Sequence, residues 1–133
     1  PINLIEGQIQ REGDSLSVTL GSVVIRLPDL WKPILDAYHK PRVIVGFRPQ
    51  ALLLPQQVED GTETQRLSGI VESVEAMVTE SVVMLKLNER SSISAVFQDE
   101  GDGNIEIGQR LEFMLDTRQV SLFDPDTSRS LKA

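Results

Sequence analysis

The chain has no cysteine, which excludes a disulfide scaffold, a thiolate zinc site and a thiol nucleophile, and agrees with a cytoplasmic protein. Aromatic residues are scarce. One Trp, one Tyr and four Phe among 133 residues leave few platforms for stacking nucleic-acid bases. Basic residues are outnumbered, 13 Lys and Arg against 20 Asp and Glu, for a formal net charge of −7. That average field repels a phosphate backbone, so nucleic acid is not an expected partner. No apolar run approaches the ~20 residues of a membrane-spanning helix. The opening Pro1-Ile2-Asn3-Leu4 has no basic segment followed by an apolar stretch, so it does not read as a signal peptide. It lacks an initiator Met, and a piece of a longer protein is expected. What is present, 40 % hydrophobic and 25 % charged residues, suits a globular domain with a real core. The length favours one domain, or two small barrels packed as a unit.

Short alternating segments between turn residues dominate and predict an all-β domain. Leu4 to Gln10 is the first expected strand, and Arg11-Glu12-Gly13-Asp14 a tight turn. Leu16, Val18 and Leu20 alternate with Ser17 and Thr19. Gly21-Ser22 turns the chain, and Val23, Ile25 and Leu27 continue the pattern. One helix of about two turns is expected, because Leu30, Trp31, Ile34, Leu35 and Tyr38 fall at helical spacing. Pro33 fits only near its start, and Pro41 is expected to stop it. Arg42 to Phe47 is the clearest strand, with Val43, Val45 and Phe47 on one face; Ala51 to Leu54 follows. Gln56 to Gln65 is polar and reads as a loop or a seam between halves. Further strands are expected over Leu67–Val74, Ser81–Leu87, Ser92–Phe97 and Leu111–Leu115, with Val120–Phe123 a short closing strand. The second half repeats the style of the first without a strict sequence repeat. Many short strands, short turns and one helix point to an OB-like small barrel or barrels.

Catalytic chemistry is hard to place. A P-loop needs glycines that expose backbone N–H groups, then Lys and Ser or Thr, and no such string exists. The nearest glycine cluster, Gly101, Gly103 and Gly108, lies among Asp99, Glu100 and Asp102, which repel phosphate. The same segment lacks the alternating oxygen ligands of a calcium loop and reads as a solvated turn. His39 is the single histidine. Asp36 stands three residues before it, but no Ser sits in a strand–turn–helix elbow, so a helix-end role near Lys40 and Pro41 is expected instead. Carboxylates such as Glu72 and Glu75 pair with nothing recognisable in sequence. No catalytic residue, cofactor ligand or metal ligand is assigned, and the chain is not expected to be an enzyme.

Three stretches carry a family resemblance. Val43-Ile44-Val45-Gly46-Phe47-Arg48-Pro49-Gln50 resembles the "V-x-x-G-I-R-P-E" signature in the C-terminal domains of ATP-binding subunits of maltose-, glycerol-phosphate- and related sugar importers. Gly69-Ile70-Val71-Glu72-Ser73-Val74-Glu75 is similar to that family's "G-x-V-x-x-V-E" strand. Ser121-Leu122-Phe123-Asp124-Pro125-Asp126-Thr127-Ser128 is close to its terminal "H-L-F-D-P-E-T-G". Ile107-Gly108-Gln109 resembles its "x-G-E" turn, and Pro1-Ile2-Asn3-Leu4 the "P-M-N" string that follows the nucleotide-binding domain. The set runs in the right order over essentially the whole chain. Gln50, Val78, Ser121 and Ser128 depart from the usual Glu, Gly, His and Gly, which marks a divergent member.

The resemblance implies a C-terminal regulatory domain of the transport-associated OB (TOBE) type, spanning 1–133. Two intertwined halves of about 1–55 and 66–133 are an expected division, with the nucleotide-binding domain absent. ATP and magnesium belong to that missing domain. The implied partners are a second copy of the chain, the nucleotide-binding domain, permease subunits and, in some members, a cytosolic regulator. The implied location is the cytoplasmic face of the cell membrane, held there through the transporter. The motif positions Gly46, Arg48, Pro49, Gly69, Glu75, Phe123 and Asp124 are expected to be structural. Gly46 admits a close neighbour, Pro49 holds Arg48 extended, Arg48 pins the strand end through hydrogen bonds, and Phe123 belongs to the core. Asp124-Pro125-Asp126-Thr127 is expected to be an Asx-capped turn. A rival reading is a small-ligand module for an oxyanion or a sugar effector, to which Lys86, Ser91 and Ser92 could contribute. An OB-type nucleic-acid binder is a third, opposed by the charge.

Overall fold

A computed structural model describes residues 1–98 and 105–132. The aspartates and glycines of the 99–104 segment, including those weighed for calcium or phosphate, lie outside the described residues. Among the described residues, ten strands form two five-stranded curled sheets with one short helix. The strands are β1 (Asn3–Glu12), β2 (Ser15–Leu20), β3 (Val23–Arg26), β4 (Arg42–Phe47), β5 (Leu52–Leu53), β6 (Thr64–Ala76), β7 (Glu80–Asn88), β8 (Ser91–Gln98), β9 (Arg110–Asp116) and β10 (Ser121–Phe123). The first sheet runs β10-β4-β1-β2-β3 and the second β5-β9-β6-β7-β8.

These orders contain an exchange. Strands β1 to β4 form one four-stranded set and β6 to β9 another. The short strand after each set pairs with the last strand of the other: β5 follows β4 but pairs with β9, and β10 follows β9 but pairs with β4. Each sheet thus takes its fifth strand from the other half. One continuous hydrophobic core runs through both, including Val18, Ile25, Val43, Val45, Phe47, Leu52, Leu85, Phe97, Phe113 and Leu122. Alternation explains the sidedness. In β1 the residues Asn3, Ile5, Gly7 and Ile9 face inward while Leu4, Glu6 and Gln8 face out.

The turns follow their residues. Gly13 and Gly21 have φ of 58° and 66° and close the β1–β2 and β2–β3 hairpins, conformations that cost glycine little. Two inward glycines mark where strands press together. A Cβ on Gly7 would lie 2.8 Å from the Thr19 carbonyl oxygen, and one on Gly69 would lie 2.9 Å from that of Lys86. These positions correspond in the two halves, since Gln8 pairs with Arg42 and Ile70 with Arg110.

Three expectations are corrected here. The helix is α1 (Lys32–Asp36), five residues preceded by a 3-10 turn over Asp29–Trp31. It ends at Asp36, before Pro41 can act on it. Trp31 and Leu35 are buried, but Leu30 is exposed, because so short a helix turns only part of its stripe toward the sheet. The strand expected over Ala51–Leu54 shrinks to Leu52–Leu53, flanked by 3-10 turns at Pro49–Ala51 and Pro55–Gln57; Pro49 and Pro55 begin those turns and lack the N–H a ladder needs. The polar segment 56–65 is shorter than expected, because β6 already begins at Thr64.

Candidate functional site

Two of the three resemblance motifs lie side by side. Strand β4 carries the first and β10 the start of the third, with Ser121 opposite Gly46, Leu122 opposite Val45 and Phe123 opposite Ile44. Val45 and Leu122 point into the core. Gly46 faces the other way, and its missing side chain leaves room for three others. A Cβ there would stand 2.8 Å from Phe123 Cε2 and 3.1 Å from both Ile2 Cδ1 and Leu4 Cδ2. Phe123 is therefore half-buried on the outer face and is not a core residue; strand alternation gives the core position to Leu122. Ile2 and Leu4 are 44 % and 57 % exposed, so the cluster forms an apolar patch open to solvent.

The third motif continues into a turn that behaves as expected. The Asp126 N–H donates to Asp124 Oδ1 at 2.8 Å, and the Ser128 N–H to the Asp124 carbonyl at 2.8 Å. Lys40 Nζ then bridges Asp124 at 2.7 Å and Asp126 at 3.1 Å, tying the turn to the segment after α1. The ammonium hydrogen bond from Lys40 and the backbone N–H of Asp126 hold the Asp124 carboxyl below its ordinary range.

Arg48 does not pin the strand end. It is exposed, and it makes no ion pair or side-chain hydrogen bond among the described residues. The matching position in the other half carries the hydrogen bonds that Arg48 lacks. Asp116 precedes the 3-10 turn Thr117–Gln119 as Arg48 precedes Pro49–Ala51. Its buried carboxylate accepts from the Arg118 N–H and Nε at 3.1 Å and from Gln119 Nε2 at 3.0 Å. Burial pushes its carboxyl up, but the bonds from Arg118 and Gln119 outweigh this and hold it below the ordinary value. The string Asp116-Thr117-Arg118-Gln119 has a capping residue three before a glutamine, and that signal was available in sequence.

Pro49 is buried at the start of its turn, Gly69 is buried against β7, and Glu75 is exposed on β6. Lys86 lies 3.8 Å from Glu89, and Ser92 Oγ donates to Glu72 at 2.7 Å, so neither is directed at a shared ligand position. His39 is exposed beyond the end of α1, and no hydrogen bond joins it to Asp36. Among the described residues no three His, Cys, Asp or Glu side chains gather into a metal site.

A cleft opens where the halves meet. Its floor is the outer face of β1 and its neighbours, with Leu4, Glu6, Thr19 and Arg42; its roof is the β7–β8 turn, with Asn88, Arg90 and Ser91. Its volume is about 780 Å³, within the range of small-molecule sites. Arg42 pairs with Glu6 at 2.8 Å across β4 and β1. Asn88 holds the roof in place, donating to the Leu20 carbonyl at 3.4 Å and accepting from the Arg90 N–H at 2.9 Å. Below it, Asn3 and Ser94 exchange two hydrogen bonds of 2.9 and 2.8 Å. The sequence reading reached Ser91 but missed Arg42, Asn88 and Arg90. They are far apart along the chain, and pairing between the halves alone assembles them.

No family model matches the chain. No curated protein matches it. Among solved structures, the cytoplasmic molybdate-binding protein ModG, in a form with molybdate bound, is similar over 92 % of this chain and 96 % of that one, at a TM-score of 0.65 and 17 % identity. The architecture is OB-like. The expected all-β, OB-like fold with one short helix is what the chain adopts. No helix among the described residues is long and apolar enough to cross a membrane.

Proposed function

We propose that this chain is a non-catalytic regulatory and dimerisation domain of the ATP-binding subunit of an ABC importer for sugars or related solutes. One observation carries the reading: two sequence motifs that resemble this family meet in paired strands and place Ile2, Leu4 and Phe123 over Gly46 on one exposed apolar face. A second copy of the chain is the occupant proposed for that face. The same strands would meet across a two-fold axis, so the contact is self-complementary. The parent lies on the cytoplasmic side of the membrane beside its permease subunits. ATP and magnesium are used by its other domain, and a cytosolic regulator or further contacts add to this interface. Nucleic acid is not a partner, given the net charge of −7.

Sedimentation velocity over a concentration series tests this. A monomer–dimer equilibrium is expected, shifting toward dimer as moderate salt screens the charge on each copy. Leu4→Glu should abolish the dimer without lowering the melting temperature. A strictly monomeric chain at high concentration and moderate salt overturns the scaffold role. Magnesium-dependent ATP turnover by the pure chain overturns the non-catalytic one.

A small-ligand module is the second reading. The cleft between the halves favours it, and so does likeness in fold to a protein that binds molybdate. Isothermal titration with molybdate, phosphate and maltodextrins separates it from a pure scaffold.

A further inference from the structure

The exchange of fifth strands gives the molecule two related clefts. Each is floored by the outer face of one half and roofed by a hairpin turn of the other. The first holds Arg42, the second Arg110, and these two occupy matching positions, opposite Gln8 and Ile70. The clefts differ in what their arginines are bound to. In the second, of about 540 Å³, Arg66 pairs with Glu112 at 2.8 Å and Arg110 donates to Ser68 Oγ at 3.3 Å; its roof is Ser22, Val23 and Val24, which add no charge. In the first, Arg42 pairs with Glu6, but the Arg90 guanidinium makes no ion pair or side-chain hydrogen bond among the described residues. Both clefts carry two guanidiniums against one carboxylate, an excess of positive charge on a chain of net −7, but only in the first is one of the two, Arg90, without an ion pair or side-chain hydrogen bond among the described residues.

We propose that the first cleft binds a phosphate monoester of a small polyhydroxylated molecule, with Arg90 and Arg42 receiving the phosphoryl group. The inference rests on the small-ligand reading and not on the dimer. Guanidinium forks match phosphate oxygens in pairs, and a partner-free guanidinium loses no existing bond on binding. At about 780 Å³ the cleft has room for an organic body beside the phosphoryl group. The neutral groups there, on Gln8, Thr19, Asn88 and Ser91, together with the Glu6 carboxylate, are donors and acceptors suited to hydroxyls. The Leu4 side chain supplies an apolar surface for a ring or chain of carbons.

Isothermal titration of the 133-residue chain at low salt tests the assignment, with glucose 6-phosphate, inorganic phosphate, molybdate and glucose as probes. Glucose 6-phosphate is expected to bind one to one, with phosphate at least about tenfold weaker and glucose silent. Arg90→Gln should weaken glucose 6-phosphate at least about tenfold, while Arg110→Gln in the sister cleft leaves it unchanged. Both side chains are exposed, and matching melting temperatures verify that the variants fold. Equal affinity in the Arg90→Gln chain overturns the site. Phosphate or molybdate binding as tightly as the ester overturns the ligand class but leaves the small-ligand reading standing. Silence from all four probes overturns both.

Discussion

Asn3 and Gln65 stand at matching positions in the two halves, opposite Phe47 at the end of β4 and Leu115 near the end of β9. Each side-chain amide reaches the third strand of the other half. Asn3 is buried and exchanges two bonds with the Ser94 backbone; Gln65 is half-exposed and accepts one, from the Arg26 N–H at 3.1 Å. Arg48 and Asp116 form a second such pair, one solvent-exposed and the other a buried cap. Matching positions in one architecture thus make unequal polar contacts: the amides join the halves, and the Asp116 cap stays within its own turn. Burial decides which polar contacts matter, because a buried group that loses its partner has no water to replace it.

Four experiments sharpen or break that comparison. The largest effect is expected in the exchanged strands. Leu52→Ala and Leu122→Ala should each cost about 2–5 kcal/mol, since both side chains are fully buried. Because each strand belongs to the other half's sheet and the core is continuous, chemical denaturation should still show one transition. Two separated transitions in either variant would mean that the halves fold independently.

Next come the inward glycines. Gly7→Ala and Gly69→Ala should each cost about 1–3 kcal/mol, because the new methyl meets a backbone carbonyl of the adjacent strand in both cases. Urea melts measure this. A neutral result at either position would show that its strand pair can separate without loss.

The amides should differ. Asn3→Ala leaves the Ser94 N–H and carbonyl without partners and should cost about 1–3 kcal/mol, whereas Gln65→Ala should stay within about 1 kcal/mol. Equal effects would remove burial as the explanation.

The smallest contrast concerns the caps. Asp116→Asn should cost about 1–2 kcal/mol near neutral pH, while Arg48→Ala should fall within about 0.5 kcal/mol. The Asp116 carboxyl is held below its ordinary value in the folded chain. Its contribution is therefore fully present above the unfolded-state pKa, about 4, and is lost as pH falls through the lower folded-state value. Melting temperatures across the acid range should fall less steeply in Asp116→Asn than in the parent. Parallel acid limbs would show that the cap contributes nothing through its charge.

Most of the strands were legible from residues alone. Alternation in Leu16-Ser17-Val18-Thr19-Leu20 and in Val43 to Phe47 states which side is buried, and Gly13 and Gly21 state where the chain reverses. The errors fall where local pattern and global placement diverge. The apolar stripe from Leu30 to Tyr38 promised two helical turns, but the chain leaves helix at Asp36 and returns to the sheet at Arg42. Phe123 read as core within its motif, yet pairing with β4 settled that Leu122 faces inward. Arg48 stood out through its motif, while Asp116 passed unnoticed in a stretch that resembled nothing.

Composition and periodicity determined by themselves that this chain is an all-β domain without cysteine chemistry, and the turn residues determined most of its reversals. Those properties depend on neighbours a few residues apart, which a linear string displays. The exchange of β5 and β10, the clamp of Asn3 on Ser94 ninety-one positions away and the cleft that gathers Arg42 with Arg90 were decided only in the tertiary structure. They depend on which strands pair across the halves. Many pairings satisfy the same alternation, and packing of one shared core selects among them.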